Sequence, residues 1–154
     1  MIAIGTVTDA YQPVERELRL TRSVLEVLAQ AQHPLGIVTK GSAITRDLDL
    51  LAPLAREGLV SVALSVTTLD NRLSARMEPR ASAPHARLRA IRSLSEAGVP
   101  TGVMFAPVIP AVNDHEMEAV LAAAREAGAT RAGYVLLRLP HELKDLARDW
   151  LQAH

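Results

Sequence analysis

The sequence predicts an α/β fold built around a parallel sheet. Three observations carry this. Five short apolar runs, at residues 2–5, 35–38, 60–66, 102–106 and 133–137, are rich in Val, Ile and Leu and mostly lack polar alternation. Strands buried on both faces read this way. Stretches of helical periodicity lie between the runs. Gly58, Gly98 and Gly128 each stand where such a stretch gives way to the next run, and glycine there supplies the left-handed residue that ends a helix.

The elements follow in order. After the first run, Leu20, Val24, Val27 and Leu28 make an apolar stripe. After the second come Leu48, Leu51, Leu54 and Ala55, and after the third Leu88, Ile91 and Leu94, with Pro84 suited to a first helical turn. After the fourth, Asn113 and Glu116 have the spacing of a capping box, ahead of Met117, Val120, Leu121 and Ala124. Repeated βα crossovers are right-handed and give a parallel sheet covered by helices. An open doubly wound sheet and part of a (β/α) barrel both fit. In both, ligands sit at the carboxyl ends of the strands.

The 154 residues suit one domain, spanning 1–154, and no Gly/Ser linker or low-complexity stretch divides them. With 17 basic and 17 acidic residues the net charge is zero, so no global field favours nucleic acid or membrane. There is no cysteine, which excludes a disulfide scaffold, a thiolate-bound zinc, a cysteine nucleophile and a cysteine-bound iron–sulfur cluster held by this chain. No apolar run nears the roughly 18 residues of a membrane span. The start lacks a basic, then apolar, leader, so a cytoplasmic location is expected. His33, His115, His141 and His154 show no metal-ligand spacing. Nucleotide-binding glycine loops, a serine nucleophile elbow and HExxH are absent.

Polar residues fall where the strand-end rule wants them. Thr6, Thr8, Asp9, Tyr11 and Gln12 follow the first run; Thr39, Lys40, Gly41 and Ser42 follow the second. Ser65, Thr67, Thr68 and Asp70 belong to the third, and residues 107–114 to the fourth. Asp9 either caps a turn or carries chemistry. Lys40, directly after an apolar run, either clamps a carboxylate or phosphate or reaches solvent from the rim. Ser65 needs a partner, backbone or ligand. Residues 72–92 hold Arg72, Arg76, Arg80, Arg87, Arg89 and Arg92 with His85, against one acid, Glu78. This is either a phosphate-contacting patch or an ordinary solvated helix face. Glu78 and Arg80 either pair or orient a ligand.

Five strings, in order, go beyond pattern: Gly5-Thr6-Val7-Thr8-Asp9-Ala10-Tyr11-Gln12-Pro13-Val14-Glu15; Ile37-Val38-Thr39-Lys40; Leu64-Ser65-Val66-Thr67-Thr68-Leu69-Asp70; Met77-Glu78-Pro79-Arg80; and Ala106-Pro107-Val108-Ile109-Pro110 with Asn113-Asp114. Together they resemble radical S-adenosylmethionine (SAM) proteins of the spore photoproduct lyase-like group, also called DNA repair photolyase homologues. The resemblance covers nearly the whole chain. It implies a partial TIM barrel of βα units. It also implies a [4Fe-4S] cluster on a CxxxCxxC loop, which cleaves SAM to a 5′-deoxyadenosyl radical that takes hydrogen from substrate.

This chain has no such loop. It resembles a truncated member, the C-terminal portion of the barrel, whose first strand looks like the family's second. By resemblance, Thr8, Asp9, Lys40, Ser65, Thr67, Pro107 and Val108 would contact the cofactor, with Lys40 facing its methionyl carboxylate. Tyr134, Arg138 and Arg80 would meet substrate, a nucleic-acid lesion being one candidate. No residue is carried over as a metal ligand, and no catalytic residue is assigned. The chain alone is expected neither to hold the cluster nor to generate the radical, and its unpaired first-strand edge invites self-association. Two other readings stand beside this one. One is a cluster-free ligand-binding or interaction module. The other is an unrelated parallel α/β enzyme binding a phosphorylated metabolite at Lys40, Gly41 and Ser42.

Overall fold

The computed structural model of the chain describes residues 1–153; His154 lies outside them. Strand β1 (Ile2–Ile4) leads through a long loop to α1 (Glu15–Leu18) and α2 (Leu20–Gln30). Strand β2 (Leu35–Thr39) leads through a 3-10 segment (Ser42–Asp47) to α3 (Leu48–Arg56), and β3 (Val60–Ser65) to α4 (Asn71–Met77) and α5 (Pro84–Glu96). Strand β4 (Thr101–Val108) leads through a 3-10 turn (Asp114–Glu116) to α6 (Met117–Glu126), and β5 (Arg131–Leu136) to α7 (Leu143–Ala153). Gly58, Gly98 and Gly128 all have positive φ at the helix ends.

All pairs are parallel and the sheet order is β1-β2-β3-β4-β5. Strands laid down in chain order by right-handed crossovers put every helix on one side. The result is an incomplete (β/α) barrel, not a doubly wound sheet. This corrects the expectation of strands buried on both faces. Burial alternates along β2 and β3: Leu35, Ile37, Val60, Val62 and Leu64 pack under the helices, with Leu25, Leu51, Leu54, Ile91, Leu94 and Val120 above them. On the other face Ala3, Gly36, Val38, Ala63, Gly102 and Met104 line an open trough of about 310 Å³. Apart from Ser61 and Arg131 the residues there are apolar too, so the sequence shows little alternation.

A second expectation fails at α2. Its buried residues are Thr21, Leu25 and Leu28, whereas Leu20, Val24 and Val27 are 63%, 47% and 62% exposed. Three of the four stripe residues thus face away from the core, and only Leu28 packs into it. Strand β1 pairs only with β2, so its other edge is unpaired among the described residues. The capping box also fails to form. Asn113 Oδ1 accepts from Ile109 N at 2.7 Å, while its Nδ2 donates to Thr67 O at 2.8 Å. Glu116 accepts from Thr68 Oγ1 and Leu69 N. Tertiary partners take both side chains, which tie the β4 exit to the β3 exit. Among the described residues no helix is long and apolar enough to cross a membrane.

Candidate functional site

The strand exits meet at the carboxyl rim of the sheet. Gly5 begins the β1 exit with φ of +85°, and a Cβ there would lie 1.9 Å from Val38 O. Only glycine lets the chain cross β2 so closely. The loop then delivers Asp9. Its Oδ1 accepts from Thr39 Oγ1 at 2.6 Å and Tyr11 N at 2.8 Å, and its Oδ2 from Lys40 N at 2.7 Å. Asp9 thus clamps the end of β2 and sets where Lys40 leaves it. Thr8, exposed in the same loop, accepts from Gln12 Nε2 at 2.7 Å.

Lys40 places its Nζ 2.8 Å from Glu78 Oε1, off the axis of a well-aligned hydrogen bond, so the contact is an ion pair. Glu78 Oε2 accepts from Arg87 Nη2 at 2.6 Å. Arg87 is buried, with its side chain 1% exposed. It also donates from Nε to Ser82 O at 2.6 Å and from Nη1 to Ser65 O at 2.9 Å. The row Lys40–Glu78–Arg87 therefore joins three elements and carries one net positive charge. Ser82 reinforces it: Ser82 N donates to Lys40 O at 3.3 Å, and Ser82 Oγ accepts from Ser42 N at 2.8 Å.

Ser65 and Thr67 are buried at the β3 exit, 4% and 1% exposed, and the Thr67 hydroxyl has no hydrogen-bond partner. An orphaned buried hydroxyl calls for a ligand or water. Pro107, after a cis peptide bond, accepts from Asn113 Nδ2 at 3.0 Å. Val108 has its side chain in the core at 4% exposure, which leaves only its backbone for a ligand. Arg80 is exposed in the α4–α5 loop and does not pair with Glu78. Tyr134 is level with Phe105 in the parallel register and so shares the helix-side face, 66% exposed. Arg138 is exposed beyond β5. Among the described residues no group of His, Asp or Glu could hold a metal ion.

The sequence groups Arg87 with the arginines of a phosphate-contacting patch or solvated helix face, but it is 1% exposed and belongs to neither. Asn113 and Glu116 also carry more of the rim than their spacing suggested. A separate network lies under the β1 exit. Asp47, fully buried, accepts from Tyr11 Oη, from Arg22 Nη1 and from Nε and Nη2 of Arg46, each at 3.0 Å. Tyr11 in turn packs against Gly41, where a Cβ would lie 2.7 Å from Tyr11 Cβ. The network thus fixes the turn that follows Lys40.

A one-sided parallel βα sheet with its polar cluster at the strand exits defines an incomplete (β/α) barrel with a ligand rim. The model of the radical SAM superfamily matches residues 1–124. An uncharacterized protein of Mycobacterium tuberculosis is 36% identical over 156 residues, which covers 99% of this chain and 46% of that protein. An uncharacterized protein of Methanocaldococcus jannaschii is 30% identical over 115 residues, 75% of this chain and 43% of its own length. One from Acidianus two-tailed virus is 32% identical over 110 residues, 71% and 35% respectively. The chain belongs to the radical SAM superfamily, and it spans less than half the length of these curated relatives.

Proposed function

We propose that residues 1–154 form the C-terminal portion of a radical SAM barrel, a single domain that carries the cofactor's amino-acid and nucleoside contacts but not the cluster. The observation that carries this reading is Lys40, held at the end of β2 by Asp9 and Glu78 with a net positive charge behind it. When bound, SAM in this superfamily supplies a carbon radical for hydrogen abstraction. Lys40 binds the methionyl carboxylate as a point charge. Asp9 orients Lys40 through its backbone and, with Thr8, lines the cofactor side of the β1 exit. The unpartnered Thr67 hydroxyl offers a hydrogen bond beside Ser65, and Pro107 with the backbone of Val108 borders the base.

The [4Fe-4S] cluster does not fit these residues, since the chain has no cysteine to ligate it. The finer kinship with spore photoproduct lyase-like proteins belongs to this proposal on the strength of the five strings in register. The relatives' names carry no activity.

Isothermal calorimetry with SAM tests the pocket. Weak binding is expected, lowered about tenfold or more, some 1.4 kcal/mol, by Lys40→Ala and also lowered by Thr67→Val. No binding by the parent chain, or equal binding by Lys40→Ala, would overturn it. Anaerobic reconstitution with iron and sulfide should leave the chain colourless; a stable brown cluster would contradict the reading.

The open β1 edge and the α2 stripe make self-association part of the same proposal, because an unpaired strand beside exposed apolar side chains recruits a second chain. Sedimentation should show association that rises with concentration and falls in Val24→Glu. A strictly monomeric parent chain counts against it.

A further inference from the structure

We propose that the open trough on the uncovered face of the sheet is a substrate site for a small molecule with an apolar body and one carboxylate, anchored by Arg131. The register fixes which residues face the trough. Val103 and Phe105 of β4 are buried under the helices, so Gly102 and Met104 turn to the other face. Arg131 is level with Gly102, and Gly133 with Met104, in the parallel β4–β5 pairing, so all four share that face. The spacing around the glycines agrees. A Cβ on Gly102 would lie 3.4 Å from Arg131 Cβ, and one on Gly133 would lie 2.8 Å from Met104 Sδ. Ser61 joins them from β3, since a Cβ on Gly36 would lie 3.9 Å from its Oγ. Ser61 and Arg131 are the two polar side chains among those lining the trough. Neither makes a side-chain hydrogen bond or ion pair among the described residues.

The chemistry of the trough selects its ligand. An apolar concavity with a few polar groups at fixed places is how small-molecule sites are built, and about 310 Å³ is at the small end of their range. Arg131 is the one charged side chain lining the trough, and no acid faces it there. Its planar fork carries a single positive charge and holds both oxygens of one carboxylate. A doubly charged phosphate would be half neutralised, because no second charged side chain lines the trough. The strand N–H and C=O groups beneath are spent in the parallel ladder and offer no further donors. Direction follows from the register. Arg131 lies about 7 Å along the strand from Gly133, and Met104 beside Gly133 is level with Ser65. A carboxylate on Arg131 therefore sends its carbon body up past Met104 toward the strand exits. Met104 is unbranched and adjusts to bodies of different shape. The role as substrate site rests on the cofactor reading above, whereas the carboxylate pocket rests on the trough alone.

Fluorine NMR on the full chain tests it, with para-trifluoromethylphenylacetate as the probe and its primary amide as the uncharged counterpart. The carboxylate should bind, and the amide should bind about tenfold more weakly or less well still. Arg131→Gln should bring the carboxylate down to the level of the amide. Arg131→Lys should fall between, since an ammonium keeps the charge but loses the fork. Arg131 is exposed, so both variants should fold like the parent, which circular dichroism checks. Ala63→Leu fills the trough from β3 and should weaken carboxylate and amide alike. The proposal is overturned if carboxylate and amide bind the parent equally, or if Lys40→Ala weakens the carboxylate as much as Arg131→Gln does. It is equally overturned if para-trifluoromethylbenzylphosphonate binds more tightly than the carboxylate. Calorimetry with SAM on the parent keeps the two readings apart. SAM binding without probe binding overturns the proposal and spares the cofactor reading. Probe binding without SAM binding upholds the carboxylate pocket and overturns the cofactor reading.

Discussion

Replacing Arg87 with Met is expected to cost about 3–5 kcal/mol of folding stability, the range for breaking a buried ion pair from one side. The side chain is 1% exposed and makes three hydrogen bonds, to Ser82 O, Ser65 O and Glu78 Oε2. Methionine fills much of the volume but satisfies none of them. Two carbonyls and a carboxylate whose side chain is only 9% exposed then lose their donor, and each unsatisfied group carries a desolvation penalty. A domain stable by about 5–15 kcal/mol has little room for this loss. Arg87→Lys should fall between, because an ammonium keeps the charge but cannot serve three acceptors with a fork. Urea unfolding of the three chains checks the order. A loss below about 1 kcal/mol for Met would mean that the guanidinium is replaceable by packing, as some buried ion pairs are. The same variant frees Glu78 to follow Lys40, so SAM affinity should drop even where the protein remains folded.

The role of Arg87 shows what the sequence carried and what it hid. Along α5, Arg87 stands in line with Ala90, Ile91 and Leu94, all buried. That spacing places it on the apolar stripe, not on the face of Arg89 and Arg92. Asp47 hides in the same way, one and two turns before Leu51 and Leu54. A charge in phase with a buried stripe is the readable sign of an internal ion pair. The five strands were legible because each is a compact apolar run closed by glycine or a polar exit. Their single covered face was not, because a barrel interior and a helix-covered face are both apolar in one sequence. The α2 stripe was legible as amphipathic, yet Thr21, Leu25 and Leu28 and not Leu20, Val24 and Val27 turn to the core. At the rim, the residue types after each strand pointed to Asp9, Lys40 and Ser65. No local signal told that Asn113 would leave its helix cap for the Thr67 carbonyl, since that bond spans 46 positions.

Asp47 sets the second large expectation, and it is a pH effect. Burial disfavours its charge, but hydrogen bonds from Arg46, Arg22 and Tyr11 outweigh this and hold its carboxyl below the usual range. Tyr11, pushed up by burial and by Asp47, stays a neutral donor. A carboxyl depressed in the folded state adds stability that is complete above its unfolded pKa of about 3.9 and disappears as pH falls through the lower folded value. Asp47→Asn should therefore cost about 3–5 kcal/mol at neutral pH, since Arg22 and Arg46 lose the buried anion between them. The gap between parent and variant should then close as pH falls below about 4 and through the lower folded value, as the parent's own carboxyl takes up its proton. Other carboxylates titrate in both chains and cancel in the difference. Urea midpoints at matched pH values measure it, and a gap independent of pH over that range would rule Asp47 out as the charged centre of the network. The consequence reaches the rim. Tyr11 hangs from Asp47 by its hydroxyl and packs on Gly41, next to Lys40. Protonating Asp47 loosens that support, so SAM affinity should begin to fall in acid before the sheet itself unfolds.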